Sequence, residues 1–133
     1  MLFKQNNQSP KKNPTPYLDR MDDFEFVQIV RLKGDIDQTM IPVIQNRIEY
    51  NRSQGSKIDK NIIVDYKKVN KIDSATIAFH IVRLKEYQEK GFKIGFINMT
   101  EQLRSLLAMF HQCDTFKIYL SEEEAMVALN KPV

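Results

Sequence analysis

Cysteine occurs once in this chain, at Cys113, so no intrachain disulfide can form. A lone thiol reads as a buried side chain of a protein from a reducing compartment. Glycine is nearly as scarce. Gly34, Gly55, Gly91 and Gly95 are scattered, and none forms G-x-G-x-x-G or G-x-x-x-x-G-K-[ST], which leaves ATP or dinucleotide binding without support. The two histidines, His80 and His111, do not stand at i, i+4 from another His, Cys or carboxylate in a ligand pattern. His111-Gln112-Cys113 is the closest approach to a metal or nucleophile pair. A zinc site needs three or four ligands, however, and a cysteine nucleophile needs an activating neighbourhood that the sequence does not display. Long apolar runs are missing too, since no stretch approaches the ~18 residues needed to span a bilayer. The first twenty residues hold only the apolar pair Leu2-Phe3 before turning polar and Pro-rich, unlike a secretory leader. These absences exclude most enzyme classes and predict a soluble cytoplasmic protein with no metal and no membrane insertion.

What is present suits one core. With 133 residues, of which 42% are hydrophobic and 28% charged, the chain can fill one domain but not two. The formal charge of +3 is carried by Lys4, Lys11, Lys12 and Arg20 against Asp19. The rest of the chain is neutral overall, with no Arg/Lys stripe, which argues against direct nucleic-acid binding. Residues 1–22, basic and containing Pro10, Pro14 and Pro16, are expected to be a disordered tail before a domain at 23–133.

Periodicity fills in that domain. Phe24-Glu25-Phe26-Val27-Gln28-Ile29 alternates with a defect at Val27, and Val30-Arg31-Leu32 resumes in shifted phase, which predicts a long strand or hairpin-like pair with a bulge near Ile29. Gly34 is expected to end it, with Asp35-Ile36-Asp37 as the connecting loop. Gln38 or Thr39 can open a helix with Pro42 in its first turn, an apolar face of Ile41, Ile44 and Ile48, and Gly55 just past its end. Three adjacent β-branched residues in Asn61-Ile62-Ile63-Val64-Asp65 predict a central strand covered on both faces. Val69 and Ile72 then lead through a turn to a helix from about Ser74 to about Lys90, with Ile77, Ile81 and Leu84 inside and Gly91 at its end. Phe92–Ile97 is the next strand. Thr100 can cap a helix with the stripe Leu103, Leu106, Leu107 and Phe110, and Phe116–Leu120 is a last short strand. Ser121-Glu122-Glu123-Glu124 opens a final helix with a capping-box pattern, its core side being Ala125, Met126 and Leu129. Alternating strands and helices with short links predict an α/β fold.

Among the chemical candidates, Asp73-Ser74-Ala75-Thr76 is the most informative. It lies where a strand hands over to a helix, so the Ser74 hydroxyl falls beside unpaired backbone N–H groups at the positive end of the helix dipole. Asp73 or Ser74 can serve as the cap there, and capping does not exclude phosphorylation. The pair Asp35 and Asp37 can hold a divalent ion or simply solvate a loop.

Three segments in this order resemble the STAS family of anti-sigma factor antagonists. Val30-Arg31-Leu32-Lys33-Gly34-Asp35-Ile36-Asp37 is similar to the family's strand and G-[ED]-[LI]-D. Ile62-Ile63-Val64-Asp65, followed by Val69, Ile72, Asp73 and Ser74, is similar to its central strand and D-S-[ST]-G helix start. Ile97-Asn98-Met99-Thr100 and the following helix are similar to its strand and N-[VM]-[ST] turn. The resemblance implies a single STAS-like domain: a mixed, mostly parallel sheet of four to five strands with about four helices. It implies no catalysis and no cofactor, and it makes Ser74 the phosphate acceptor with Thr76 as a second hydroxyl. The implied partner surface comprises Asp35, Asp37, Asp73, Ala75, Asn98, Met99 and Thr100. The implied function is partner switching: binding a GHKL-type serine kinase that acts as anti-sigma factor, release on phosphorylation, and a phosphatase to reset it. A homodimer is compatible with this. Ala75-Thr76 departs from the Ser-Gly of many members, which leaves open an adaptor or scaffold role in a stressosome-like assembly or a lipid ABC transporter.

Overall fold

The computed structural model describes residues 7–8, 17–53, 60–108 and 116–132. Its strands are β1 (Asn7–Gln8), β2 (Leu18–Asp23), β3 (Val27–Ile36), β4 (Asn61–Ile72), β5 (Ile94–Ile97) and β6 (Phe116–Ile118). Its helices are α1 (Met40–Ser53), α2 (Ser74–Gln88), α3 (Glu101–Ala108) and α4 (Glu122–Leu129). The strands lie side by side in chain order, β1-β2-β3-β4-β5-β6. The pairs β1/β2 and β2/β3 are antiparallel, and every pair from β3 to β6 is parallel. The mixed, mostly parallel sheet is as the sequence predicts, with more strands because the N-terminal segment joins it. None of the described helices is long and apolar enough to cross a membrane.

That segment is the main correction. Composition assigns residues 1–22 to a tail, yet β2 begins at Leu18, pairs along β3, and buries Leu18 to 3% and Met21 to 1% exposure. Two well-spaced apolar side chains and a ladder of backbone bonds offset the entropy of ordering six residues. The turn from β2 to β3 is closed by a hydrogen bond from the Phe24 N–H to the Val27 carbonyl, 2.9 Å.

The phase defect near Val27 has a different cause from the expected bulge. Val27 and Ile29 face one core cluster, with Phe24, Ile63, Ile97 and α4, while Val30 and Leu32 face the other. Both faces of β3 are covered, so its apolar residues need not alternate. The register shifts fall later, between Arg31 and Lys33 and between Gly34 and Asp35. Gly34 therefore does not end the strand; its φ of +77° is a left-handed kink inside it, and Ile36 beyond is buried at 4% exposure. β4 likewise runs through Val69 to Ile72 without the expected turn.

Met40 of α1, Ile77 and Ile81 of α2 and Leu103 of α3 share one cluster on one face of the sheet. Successive parallel strands that step in one direction place their crossover helices on the same side. Among the described helices only α4 covers the other face, through Ala125, Met126 and Leu129. The capping box expected for α4 is half made: Ser121 Oγ accepts from the Glu124 N–H at 3.1 Å. Its far end is pinned by Asn61, whose Nδ2 donates to the Leu129 carbonyl at 2.8 Å, and by Asn130, whose Oδ1 accepts from the Phe26 N–H at 2.9 Å. The expected helical positions Ile41, Ile44, Ile48, Leu84, Leu106, Leu107 and Phe110, and also Gly55 and the His111-Gln112-Cys113 segment, have side chains or backbone outside the described residues.

α4 approaches β5 so closely that Gly95 has no room for a side chain. A Cβ there would lie 2.7 Å from Tyr119 Cε2 and 2.8 Å from Leu129 Cδ1. Gly95→Ala is expected to destabilise by about 1–3 kcal/mol through overpacking. Urea titration checks this, and an unchanged midpoint at unchanged slope would show that α4 can lift without cost.

Candidate functional site

The site follows from the last rung of one ladder. Ile36 of β3 pairs with Ile72 of β4, so the next residues, Asp37 and Asp73, leave the sheet side by side. Asp37 is tied back at once: its Oδ1 accepts from the Thr39 N–H at 2.8 Å, the Thr39 hydroxyl at 2.6 Å and the Tyr17 hydroxyl at 2.9 Å. Tyr17 Oη is also 2.5 Å from Thr39 Oγ1. These bonds, from Thr39 first and Tyr17 after it, hold the Asp37 carboxyl below the usual carboxylate range.

Asp73 is the cap of α2. Its Oδ1 accepts from the Thr76 N–H at 2.6 Å, and its carbonyl accepts from the Ile77 N–H at 3.0 Å. The Thr76 side chain and N–H hold Asp73 below the ordinary carboxylate value, against the opposing charge of Asp37 nearby. The capping question left open by the sequence is thereby answered, and Ser74 is relieved of it. Ser74 is the first residue of α2 and is exposed, as is Ala75. Thr76, by contrast, is 1% exposed. A kinase cannot reach a hydroxyl enclosed in this way, so Thr76 is withdrawn as a second acceptor. Asp35 is exposed on β3, in register with Lys71.

The Asn98-Met99-Thr100 turn stands elsewhere. β5 ends at Ile97 opposite Asp65, while β4 runs on from Asp65 to Ile72, up to about 23 Å further at ~3.3 Å per residue. Asn98, in a left-handed conformation with φ +58°, donates from Nδ2 to Asp65 Oδ1 at 2.8 Å. Met99 is buried in the core at 9% exposure and is no surface residue, which corrects its place in the partner surface. Thr100 is exposed and caps α3, its Oγ1 accepting from the Leu103 N–H at 3.2 Å.

Beneath this turn is an ion network that sequence reasoning missed. Arg31 donates from Nε to Asp22 at 2.7 Å, and from Nη1 to Asp65 at 2.8 Å and Glu122 at 2.7 Å. It thus links β2, β3, β4 and α4. Burial alone would lower the Arg31 pKa, but Glu122, Asp22 and Asp65 together raise it. Burial alone would raise Asp65, but hydrogen bonds from Asn98, the Lys67 N–H and Arg31 hold it below the carboxylate range. No local motif announces such a cluster, because its members come from four elements. Tyr17 was missed for a simpler reason: it sits beside the Pro-rich stretch.

Comparison with known proteins adds the following. The sequence model of the STAS domain matches residues 21–125. The fold is similar to the unphosphorylated form of the anti-sigma factor antagonist SpoIIAA, with a TM-score of 0.58 and 19% identity over 82% of this chain and 94% of that one. It is also similar to the phosphorylated form of SpoIIAA, described as a Bacillus cell fate determinant, at 0.55 and 20% over 77% and 89%. A candidate anti-sigma factor antagonist from Thermotoga maritima matches at 0.59 and 18% over 79% and 88%.

Proposed function

The chain belongs to the STAS domain family, and on that premise we propose that it is an anti-sigma factor antagonist of the partner-switching type with Ser74 as its phosphate acceptor. The placement of Ser74 carries this reading: an exposed hydroxyl at the first turn of α2, free of capping duty, beside Asp73 and Asp37. In the unphosphorylated state this rim is the surface that a kinase-type anti-sigma factor grips. Phosphorylation adds about −1.5 to −2 charges there. The start of α2 offers roughly half a positive elementary charge. Two ionised carboxylates oppose it, so the phosphate is driven outward, into the space the partner occupied. Asp37 and Asp73 are held in the charged form by their own hydrogen bonds, which keeps this repulsion in place at neutral pH.

Ala75-Thr76 stands where many members have Ser-Gly: Thr76, in the glycine's place, turns its side chain inward at 1% exposure, and Ala75 is exposed. Ala75 alters the surface that a kinase reads, and so bears on which partner fits.

The test is labelling with a GHKL-type kinase and ATP, read by mass spectrometry, together with a binding measurement. Ser74→Ala is expected to lose the label and keep binding, while Ser74→Asp weakens binding by roughly tenfold or more through like-charge contact. A label that survives Ser74→Ala overturns the acceptor. Recovery of a large symmetric assembly or an ABC ATPase as the main partner from the native cell favours the scaffold role instead.

A further inference from the structure

Among the described residues, two that are not glycine have a positive φ, Asn98 and Tyr17. Asparagine tolerates the left-handed region, whereas a bulky tyrosine there, at φ +69°, is strained. Such strain persists only where the surroundings impose it, and it points to a position with a task. The consequence shows in the packing. Consecutive strand residues point to opposite faces, yet Tyr17 and Leu18 both pack on the cluster that holds Met40 of α1 and Ile77 of α2. The kink turns the half-buried Tyr17 ring onto this side of the sheet, while the Tyr17 carbonyl still accepts from the Lys33 N–H at 2.8 Å. Its hydroxyl then reaches Asp37 Oδ1 at 2.9 Å and Thr39 Oγ1 at 2.5 Å.

Asp37 is thus restrained in two ways. Thr39 bonds Oδ1 through its N–H and its hydroxyl, and the Asp37 carbonyl accepts from the Met40 N–H at 3.0 Å. Those bonds lie within the turn and move with it. Tyr17, twenty positions away, is anchored to β3. Among the described residues it is the one side chain from outside the turn that bonds Asp37. Asp73 needs no such tie, because its bond to the Thr76 N–H belongs to the helix that carries Ser74. Tyr17 therefore sets how Asp37 stands relative to the Asp73-Ser74 helix start. Every one of these side-chain bonds falls on Oδ1, so Oδ2 of the exposed Asp37 is held in one direction and left open to a partner.

We propose that Tyr17 is a positioning residue of the Ser74 rim: its hydroxyl orients Asp37 for the partner, which makes the start of β2 part of the recognition machinery. The inference rests on the reading of that rim as a kinase-binding surface. Holding Asp37 in place before the partner arrives removes the cost of ordering it on binding.

The test is the rate of Ser74 labelling by a GHKL-type serine kinase and ATP, with the concentration of the full chain varied. Tyr17→Phe keeps the ring and removes the hydroxyl. It is expected to raise KM for the chain by roughly threefold to tenfold and to leave kcat unchanged, as a loss of preorganised binding does. Asp37→Ala should raise KM at least as much, and adding Tyr17→Phe to it should change nothing further, because the two side chains act as one unit. Gly95→Ala, which weakens the fold away from the rim, should leave KM unchanged. Circular dichroism verifies the fold of each variant, and Asp37→Gly takes the place of Asp37→Ala if that variant does not fold, because glycine is tolerated at a cap. A KM raised by Asp37→Ala but unmoved by Tyr17→Phe overturns the proposal and spares the reading of the rim. So does a Tyr17→Phe effect that persists in full beside Asp37→Ala, since Tyr17 would then touch the partner itself. A KM that Gly95→Ala raises as much assigns the effect to stability and overturns the proposal equally. If Asp37→Ala leaves KM unchanged, or Ser74 takes no label, the reading of the rim fails and the proposal with it.

Discussion

Arg31→Met is expected to lower stability by about 3–5 kcal/mol, the usual result of removing one partner from a buried ion network. The methionine fills much of the same volume, so little of this comes from a cavity. The cost arises mainly from Asp65, with a side chain 7% exposed, which loses its cation; Asp22, 10% exposed, loses Arg31 but keeps Arg20 at 2.9 Å. Glu122, at 41% exposed, can turn to water and adds little. For a chain of this size, at about 3 °C or more per kcal/mol, the melting temperature should fall by roughly 10 °C or more. The pH dependence supplies a second readout. Asp65 has a depressed pKa in the folded protein, so its contribution is present above its unfolded value of about 3.9 and is lost as the pH falls through the folded value. Without Arg31 that carboxylate is destabilising when charged and harmless when protonated. The gap between wild type and variant should therefore be widest near neutral pH and narrow on acidification. A gap that stays constant, or a variant as stable as the wild type at pH 7, would show that the network contributes nothing net.

Deletion of residues 1–20 is expected to destabilise by several kcal/mol, against the near-neutral outcome that composition alone suggests. The deletion takes away Leu18, which is 3% exposed in the main core, and the part of β2 that pairs Leu18 with Leu32 and Arg20 with Arg31. Truncating a buried leucine to alanine costs about 2–5 kcal/mol, and Leu18→Ala in the full chain isolates that part. The deletion also removes Tyr17, whose hydroxyl donates to Asp37. Tyr17→Phe separates this effect: stability should change by no more than about 1 kcal/mol, while the Asp37 pKa, followed by NMR, moves up toward its ordinary value. If the deletion melts within the ±0.5 kcal/mol of a surface change, β2 is not part of the folding unit.

Much of the Ser74 site was legible because it depends on local chain. A β-branched run, an Asp-Ser pair and a helical repeat at Ile77 and Ile81 lie consecutively in the sequence, and backbone preferences alone bring the strand to the helix start. Asp37 could be assigned to the same rim only through resemblance; the physical cause is the Ile36–Ile72 rung, a pairing across 36 positions. Thr76 and Met99 were misjudged for one reason. A residue's position in a turn or first helical turn says little about whether its side chain points out, and here both point into the core.

By itself the sequence determined the order of strands and helices from Asn61 onward, the capped starts of α2, α3 and α4, and the single domain, because these rest on period, β-branching and caps acting over a few residues. Only the tertiary structure decided that β2 joins the sheet as an antiparallel strand between β1 and β3, that β3 is covered on both faces, and that Arg31 gathers Asp22, Asp65 and Glu122. Those features are made by residues far apart in the chain. Their free energy comes from burial and from charge pairing in a low-dielectric interior, which exists only once the sheet has formed.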